Sequence, residues 1–168
     1  MVQPDGKSRI SKIDTYLNVA EAFAYRSTCL KRKYGAVIVK DDVVVSTGYN
    51  GSPRGYTNCC DTGSCPRIER NLHQGQGYEL CRAIHAEQNA ILQAAKLGLA
   101  IDGATLYCTH QPCSVCAKMI INTGIRRVVY QEGYPDEFSR KFFEETGVLL
   151  ERYQPDEMEP SNENSNKE

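Results

Sequence analysis

Two stretches of this chain hold a short parts list for hydrolysis. The first, Cys81-Arg82-Ala83-Ile84-His85-Ala86-Glu87-Gln88-Asn89-Ala90-Ile91, places an imidazole and a carboxylate two residues apart. The second, Gln111-Pro112-Cys113-Ser114-Val115-Cys116-Ala117-Lys118, opens its thiol pair 28 residues after that imidazole. A catalytic zinc is held by three protein side chains and keeps its fourth tetrahedral position open for water, whereas a structural zinc is closed by four. His85, Cys113 and Cys116 supply three ligands, and Glu87 is left over to move protons.

Each half alone has an ordinary reading. A Cys-x-x-Cys pair also serves as a redox couple or as half of a structural zinc site, and a lone glutamate at a helix start complements the helix dipole. The joint pattern, with both halves at expected helix starts, is much more specific. His85 and Glu87 lie about 200° apart around a regular helix at roughly 100° per residue. They can share one metal only at a helix mouth, where the backbone is still entering its first turn. Cys113 and Cys116, three apart after Pro112, occupy the start of a second helix, whose positive end favours thiolates. Two helix mouths are therefore expected to converge on one ion.

The elements that must position these residues follow from periodicity. Ile13, Leu17, Ala20 and Ala24 form one apolar face of a helix expected over 11–27. Arg26 and Ser27 at its end read either as a solvated terminus or as a phosphate contact. The β-branched runs 36–39 and 43–47 around Lys40-Asp41-Asp42 predict a hairpin, followed by the turn-rich Gly48-Tyr49-Asn50-Gly51-Ser52-Pro53. Residues 56–78 lack periodicity and contain Cys59, Cys60, Cys65 and His73; so long a loop in a compact domain needs a pin, and a bound metal is one. A helix is expected over 84–97 with Ile91, Leu92 and Ala95 inward, then a strand over 104–107, a helix over 113–122 with Gly124 past its end, a strand over 126–130, a helix over 135–146 and a strand over 148–152. This order predicts a three-layer α/β fold with helices on both faces of a sheet. Residues 1–153 are read as a single domain, and the Pro-, Asn-, Ser- and Glu-rich 154–168 as a disordered tail.

Bulk properties exclude several classes. The chain has 168 residues, 40% of them hydrophobic and 24% charged, which suits one soluble globular domain. No apolar run reaches the roughly 20 residues of a membrane span, and Met1 to Ile10 lacks the apolar centre of a signal peptide, so a cytoplasmic location is expected. A net charge of −1 without a basic stripe disfavours a polynucleotide partner and leaves a single nucleotide possible. Eight cysteines in an intracellular chain are better read as metal ligands or core residues than as disulfides. Cys108, at the end of a strand, is read as core.

The pairing of His-x-Glu with Pro-Cys-x-x-Cys marks the zinc nucleobase deaminases. Together with Arg26-Ser27-Thr28-Cys29, the loop 48–53, His85-Ala-Glu-Gln-Asn-Ala-Ile and Pro112-Cys-Ser-Val-Cys-Ala-Lys-Met-Ile, it resembles the deoxycytidylate (dCMP) deaminases, particularly their bacterial and phage branch, from about residue 10 to about residue 153. The resemblance implies a cytidine deaminase-like α/β/α fold with a mixed five-stranded sheet. It implies hydrolysis of dCMP to dUMP, with zinc on His85, Cys113 and Cys116 and with Glu87 as acid and base. It makes Asn50 the partner of the sugar 3′-hydroxyl, with Arg26, Ser27 and Arg54 as phosphate-side candidates. A homo-oligomer, hexameric by family, is expected; some relatives respond to dCTP, with Mg2+, and to dTTP, and the residues leave open whether this chain does. Phage members carry a second zinc whose cysteines match Cys29 and Cys59; Cys65 and Cys81 are chosen to complete it, with His73 as substitute, and burial of Cys29 and Cys81 as plain core residues is the competing reading. Other members act on cytidine, guanine or tRNA adenosine, and a non-catalytic zinc-stabilised binding module is the reading from another class. Glu87 separates the two, because a closed structural site gives no reason for a carboxylate there.

Overall fold

The computed structural model describes residues 9–73, 75–133 and 136–154. The tail beyond Gln154 and the helix start expected at Pro135 lie outside those residues. Helix α1 spans Lys12–Ala24, with Ser11 accepting from the Asp14 N–H as its cap. Strands β1 (Gly35–Lys40) and β2 (Val43–Tyr49) form the hairpin, its turn carried by Asp41 and Asp42 at positive φ. Short helices α2 (Cys59–Thr62) and α3 (Pro66–Glu69) precede a 3-10 turn at Tyr78–Leu80. Then come α4 (Ala86–Lys96), β3 (Thr105–His110), α5 (Ser114–Asn122), β4 (Arg127–Glu132), α6 (Glu137–Thr146) and β5 (Leu149–Arg152).

The sheet order is β2-β1-β3-β4-β5, antiparallel across β2-β1-β3 and parallel across β3-β4-β5. It is the mixed five-stranded sheet that the resemblance implies. Alternation along the strands divides the core in two. Val37, Val39, Tyr107 and Val129 face one side, where Leu17 and Ala20 of α1 cover them. Ala36, Ile38, Leu106, Cys108, Val128 and Tyr130 face the other, under α4, α5 and Phe143 of α6. Among the described residues no helix is long and apolar enough to cross a membrane.

Two glycines let helices lie directly on strands. A Cβ at Gly48 would stand 2.2 Å from the Ala86 carbonyl oxygen and 2.4 Å from the Ala90 nitrogen of α4, and one at Gly35 would stand 1.8 Å from the Ala20 carbonyl oxygen of α1.

The structure corrects four expectations. First, α1 ends at Ala24; the Arg26 and Ser27 N–H groups bond Phe23 and Ala24 three residues back, so these two residues lie in a tightened turn past the helix. Second, residues 56–78 are not structureless, because Pro66 opens α3 and a left-handed Gly63 ends α2. Third, Leu92 (48% exposed) and Ala95 face outward, and the buried stripe of α4 is Ala86, Glu87, Ala90, Ile91 and Ala94. Small alanines occupy that face because the approach over Gly48 leaves no room for larger side chains. Fourth, β3 runs on to His110, so Cys108 sits inside the strand, fully buried.

Candidate active site

His85 is the N-cap of α4 rather than a member of it, with extended backbone (φ −70°, ψ 159°). That conformation turns its side chain off the helical spiral and lets it meet Glu87 from the first turn. Its own N–H donates to the Gln88 side chain at 2.9 Å. This is half of a capping box in which histidine replaces the usual hydroxyl residue. The approach to it is fixed from the other side: Gly51 and Ile84 exchange backbone hydrogen bonds at 3.2 and 2.9 Å, and the Asn89 side chain donates to the Tyr49 carbonyl at 2.7 Å.

Cys113 caps α5 in the same way (φ −73°, ψ 168°), and Cys116 lies one turn in, fully buried. The start of α6 holds this stretch in place. One oxygen of Asp136 accepts from the Ser139 N–H, capping α6, and the other accepts from the Ser114 N–H at 3.0 Å. The buried Ser139 hydroxyl donates to the Pro112 carbonyl at 2.6 Å.

The His85 Nδ1 lies 3.5 Å from the Cys113 Sγ and 3.3 Å from the Cys116 Sγ. Zn–S bonds of about 2.3 Å and Zn–N bonds of about 2.0–2.1 Å at a tetrahedral angle require an N···S edge of about 3.6 Å. The three side chains therefore fit zinc as they stand. Among the described residues they are the one group of three or more metal-ligating side chains whose ligand atoms all lie within 4.8 Å of one another. A hydrogen bond from Cys116, with His85 assisting, holds the Cys113 thiol down to about 4 against burial. The same bond, with burial, pushes Cys116 well above its ordinary value. Bound zinc would hold both sulfurs as thiolates.

Glu87 is 8% exposed and lies beside Cys116. Burial raises its pKa, and the charge of His85 opposes the rise. Burial pushes His85 down, but the Cys113 hydrogen bond and the charges of Glu87 and Cys113 leave it raised on balance. Tyr78 meets the His85 ring edge-on, centroids 5.1 Å apart, with burial pushing its phenol up to about 12. Tyr34, stacked on His110 at 4.8 Å, feels the Glu87 charge. Three ligands, a buried carboxylate and two rings suit hydrolysis of a planar heterocycle.

The other expected site residues are spread more widely. Asn50 is buried; its side chain donates to the Arg32 carbonyl and accepts from the Tyr34 N–H, both at 2.8 Å, while each of those atoms keeps a further bonding position. The Ser27 hydroxyl donates to the Asn50 carbonyl and accepts from the Cys29 N–H. Arg26 is exposed. Arg54, also exposed, bonds Gln93, about 12 Å along α4 from His85 at 1.5 Å per residue. Cys29, Cys59, Cys65, Cys81 and His73 do not close into a metal-sized group. Four of them are neighbours at longer range: burial, then the thiols of Cys65, Cys29 and Cys81, raises Cys59.

Sequence reasoning missed Asp136, Ser139, Gln88, Tyr34, Tyr78 and His110. The spacing of Asp136 and Ser139 signals a helix cap, but nothing local signals the reach from Asp136 to Ser114.

A sheet covered on both faces, with a three-ligand zinc site at two helix mouths and a buried carboxylate inside it, defines a hydrolytic enzyme of the deaminase class. The sequence profile of the cytidine and deoxycytidylate deaminase zinc-binding region matches residues 10–132. The chain belongs to the cytidine and deoxycytidylate deaminase family. It is 41% identical to ComE operon protein 2 of Bacillus subtilis over 151 residues, covering 89% of this chain and 75% of that protein. It is also 41% identical to the deoxycytidylate deaminase of Saccharomyces cerevisiae over 143 residues, covering 82% of this chain but 43% of the yeast protein. The crystal structure of dCMP deaminase from cyanophage S-TIM5 in complex with dCMP and dUMP superposes with a TM-score of 0.72 at 32% identity, covering 88% of this chain and all of that one.

Proposed function

We propose that this protein hydrolyses dCMP to dUMP and ammonia. The observation that carries the reading is the buried Glu87 carboxylate against the His85, Cys113 and Cys116 cluster, in a family whose cyanophage relative binds dCMP and dUMP. Zinc, when bound, lowers the pKa of a coordinated water to about 7. His85, Cys113 and Cys116 would hold the metal at the helix mouths. A carboxylate oxygen of Glu87 would take one proton of the attacking water and pass it to the ring nitrogen N3 as the hydroxyl adds to the ring carbon, then take the remaining proton of that hydroxyl and deliver it to the amine, which leaves as ammonia when the C–N bond breaks and the carbonyl forms. Tyr78 lies against His85, and Tyr34 lies near enough to Glu87 to feel its charge.

Asn50 serves the sugar 3′-hydroxyl through its remaining bonding positions, with Ser27, Arg26 and Arg54 on the phosphate side. A site built to pair a dianion discriminates strongly against a substrate that lacks it, because its donors are left unmatched. The test is ammonia release from dCMP, CMP, deoxycytidine and dCTP. The expected result is kcat/KM for dCMP at least about 100-fold above that for deoxycytidine; equal efficiency for nucleoside and monophosphate overturns the reading.

A second, structural zinc joins Cys29, Cys59, Cys65 and Cys81, with His73 as substitute. It is supported by the electrostatic proximity of the four thiols, by the burial of Cys59 and Cys65, and by the bond from the Cys60 N–H to the Thr28 carbonyl, which ties α2 to the segment bearing Cys29. Metal analysis of unchelated protein should give about two zinc per chain, falling to about one in the Cys29→Ser, Cys59→Ser variant, as a closed site requires; one zinc in the wild type leaves these cysteines as packing. The family resemblance also supports a cytoplasmic hexamer that supplies dUMP for thymidylate synthesis, regulated by dTTP and by dCTP with Mg2+.

A further inference from the structure

Arg67 is a half-buried cation that the deaminase signature does not touch. It lies in α3, and its Cζ sits 5.2 Å from the centre of the Tyr78 ring. Tyr78 in turn meets the His85 ring edge-on at 5.1 Å, so the guanidinium is within about 10 Å of the metal-binding imidazole. That is the order of distance a nucleoside monophosphate spans between its reacting ring and its phosphate. One terminal nitrogen of Arg67 donates to the His73 carbonyl at 3.0 Å. Its Nε–H is buried without a hydrogen-bond partner among the described residues. The ion pairs among the described residues, Lys12–Asp42, Lys40–Asp102, Arg127–Glu151 and Lys141–Glu145, leave Arg67 without a carboxylate.

A buried donor left unmatched is costly, and a buried charge without a counter-ion more so. Arginine presents a planar fork that matches phosphate oxygens. Arg26 and Arg54, by contrast, are exposed, and Arg54 is engaged by Gln93.

We propose that Arg67 recognises the 5′-phosphate of the substrate, its guanidinium stacked on Tyr78 beside His85 and pairing the dianion when a nucleoside monophosphate occupies the site. The proposal rests on the reading of this protein as a nucleotide deaminase and names the residue that sets its preference for the phosphorylated substrate. The rival role for Arg67 is purely structural, as a staple between α3, the His73 carbonyl and the Tyr78 ring. A staple supports every substrate equally, whereas a phosphate partner supports only those that carry one.

The experiment measures kcat and KM for dCMP and for deoxycytidine in the full-length wild type, Arg67→Met, Arg67→Lys and Arg32→Met, with zinc content checked for each. Wild-type preference for dCMP establishes the nucleotide reading on its own; its absence overturns that reading and the proposal with it. Given the preference, Arg67→Met should lower kcat/KM for dCMP by about 100-fold, mainly through KM, the loss expected for charge-assisted hydrogen bonds, with deoxycytidine within about threefold of wild type. Arg67→Lys, which keeps the charge but not the fork, should fall between, and it carries the test if Arg67→Met does not fold. A parallel loss for both substrates, an unchanged preference, or a loss in Arg32→Met and not in the Arg67 variants overturns the proposal while the nucleotide reading stands.

Discussion

A carboxyl group shut away from water holds its proton more tightly than one in solvent, and Glu87 is shut away on the first turn of α4 beside His85 and Cys116. A group that must accept a proton and return it works best when its affinity for that proton is poised between donor and acceptor. Glu87→Gln keeps the shape and removes the transfer, so deamination should fall by about 10²–10⁴-fold while zinc content and thermal stability hold. Ammonia release together with metal analysis checks this, and substantial turnover by a zinc-loaded variant would sink the mechanism. Residues of this kind are legible in sequence because the metal dictates both their types and their spacing. Tyr78 and Arg67 are not, since neither spacing nor composition says that a ring in a 3-10 turn will edge onto His85 or that a cation will stack behind it. Contacts made across a long irregular segment leave no periodic trace.

Helix α4 carries His85 and Glu87 only as accurately as it is seated on β2. Gly48 permits that seating, and the Ser46 hydroxyl, donating to the Ala90 carbonyl at 2.6 Å, secures it. Gly48→Ala drives a methyl into the backbone of α4, and overpacking of that sort destabilises by about 1–3 kcal/mol. Denaturant unfolding should show the loss, with kcat falling well below that of the wild type under conditions where the variant is fully folded; a Gly48→Ala enzyme of wild-type stability and rate would mean that the helix is not placed by this contact. Periodicity locates the helices and strands to within a few residues. It places Leu92 and Ala95 on the wrong face because it takes side-chain size for burial, whereas the available depth is set by a glycine on another element. The boundaries that matter most, with His85 and Cys113 standing just outside their helices, follow from the metal's demand that ligands turn off the helical spiral.

At the scale of the molecule, the catalytic site joins parts that the backbone alone does not. His85 caps α4, beyond the irregular segment that follows β2, and the thiols open α5, the helix after β3, with Asp136 of the α6 cap holding the second group. A metal that binds only the folded form adds about 4 kcal/mol when it stands 1,000-fold above its Kd. Chelation should therefore abolish deamination and lower the melting temperature by several degrees, both recovering on addition of zinc; an unchanged melting temperature after verified zinc loss would show that the ion contributes chemistry without stability. The strand order has a consequence in time as well. β3 sits at the centre of the sheet, between β1, made before it, and β4, made after it. During synthesis at about 5–20 residues per second, His85 emerges ahead of both thiols, and the strand leading to those thiols gains its second neighbour only once β4 has followed. The full catalytic ligand set comes together only once β3 has docked on both sides, because Cys113 and Cys116 follow that strand. The metal centre is thus a late product of translation, and zinc supplied during refolding should hasten the return of activity only after the sheet has formed.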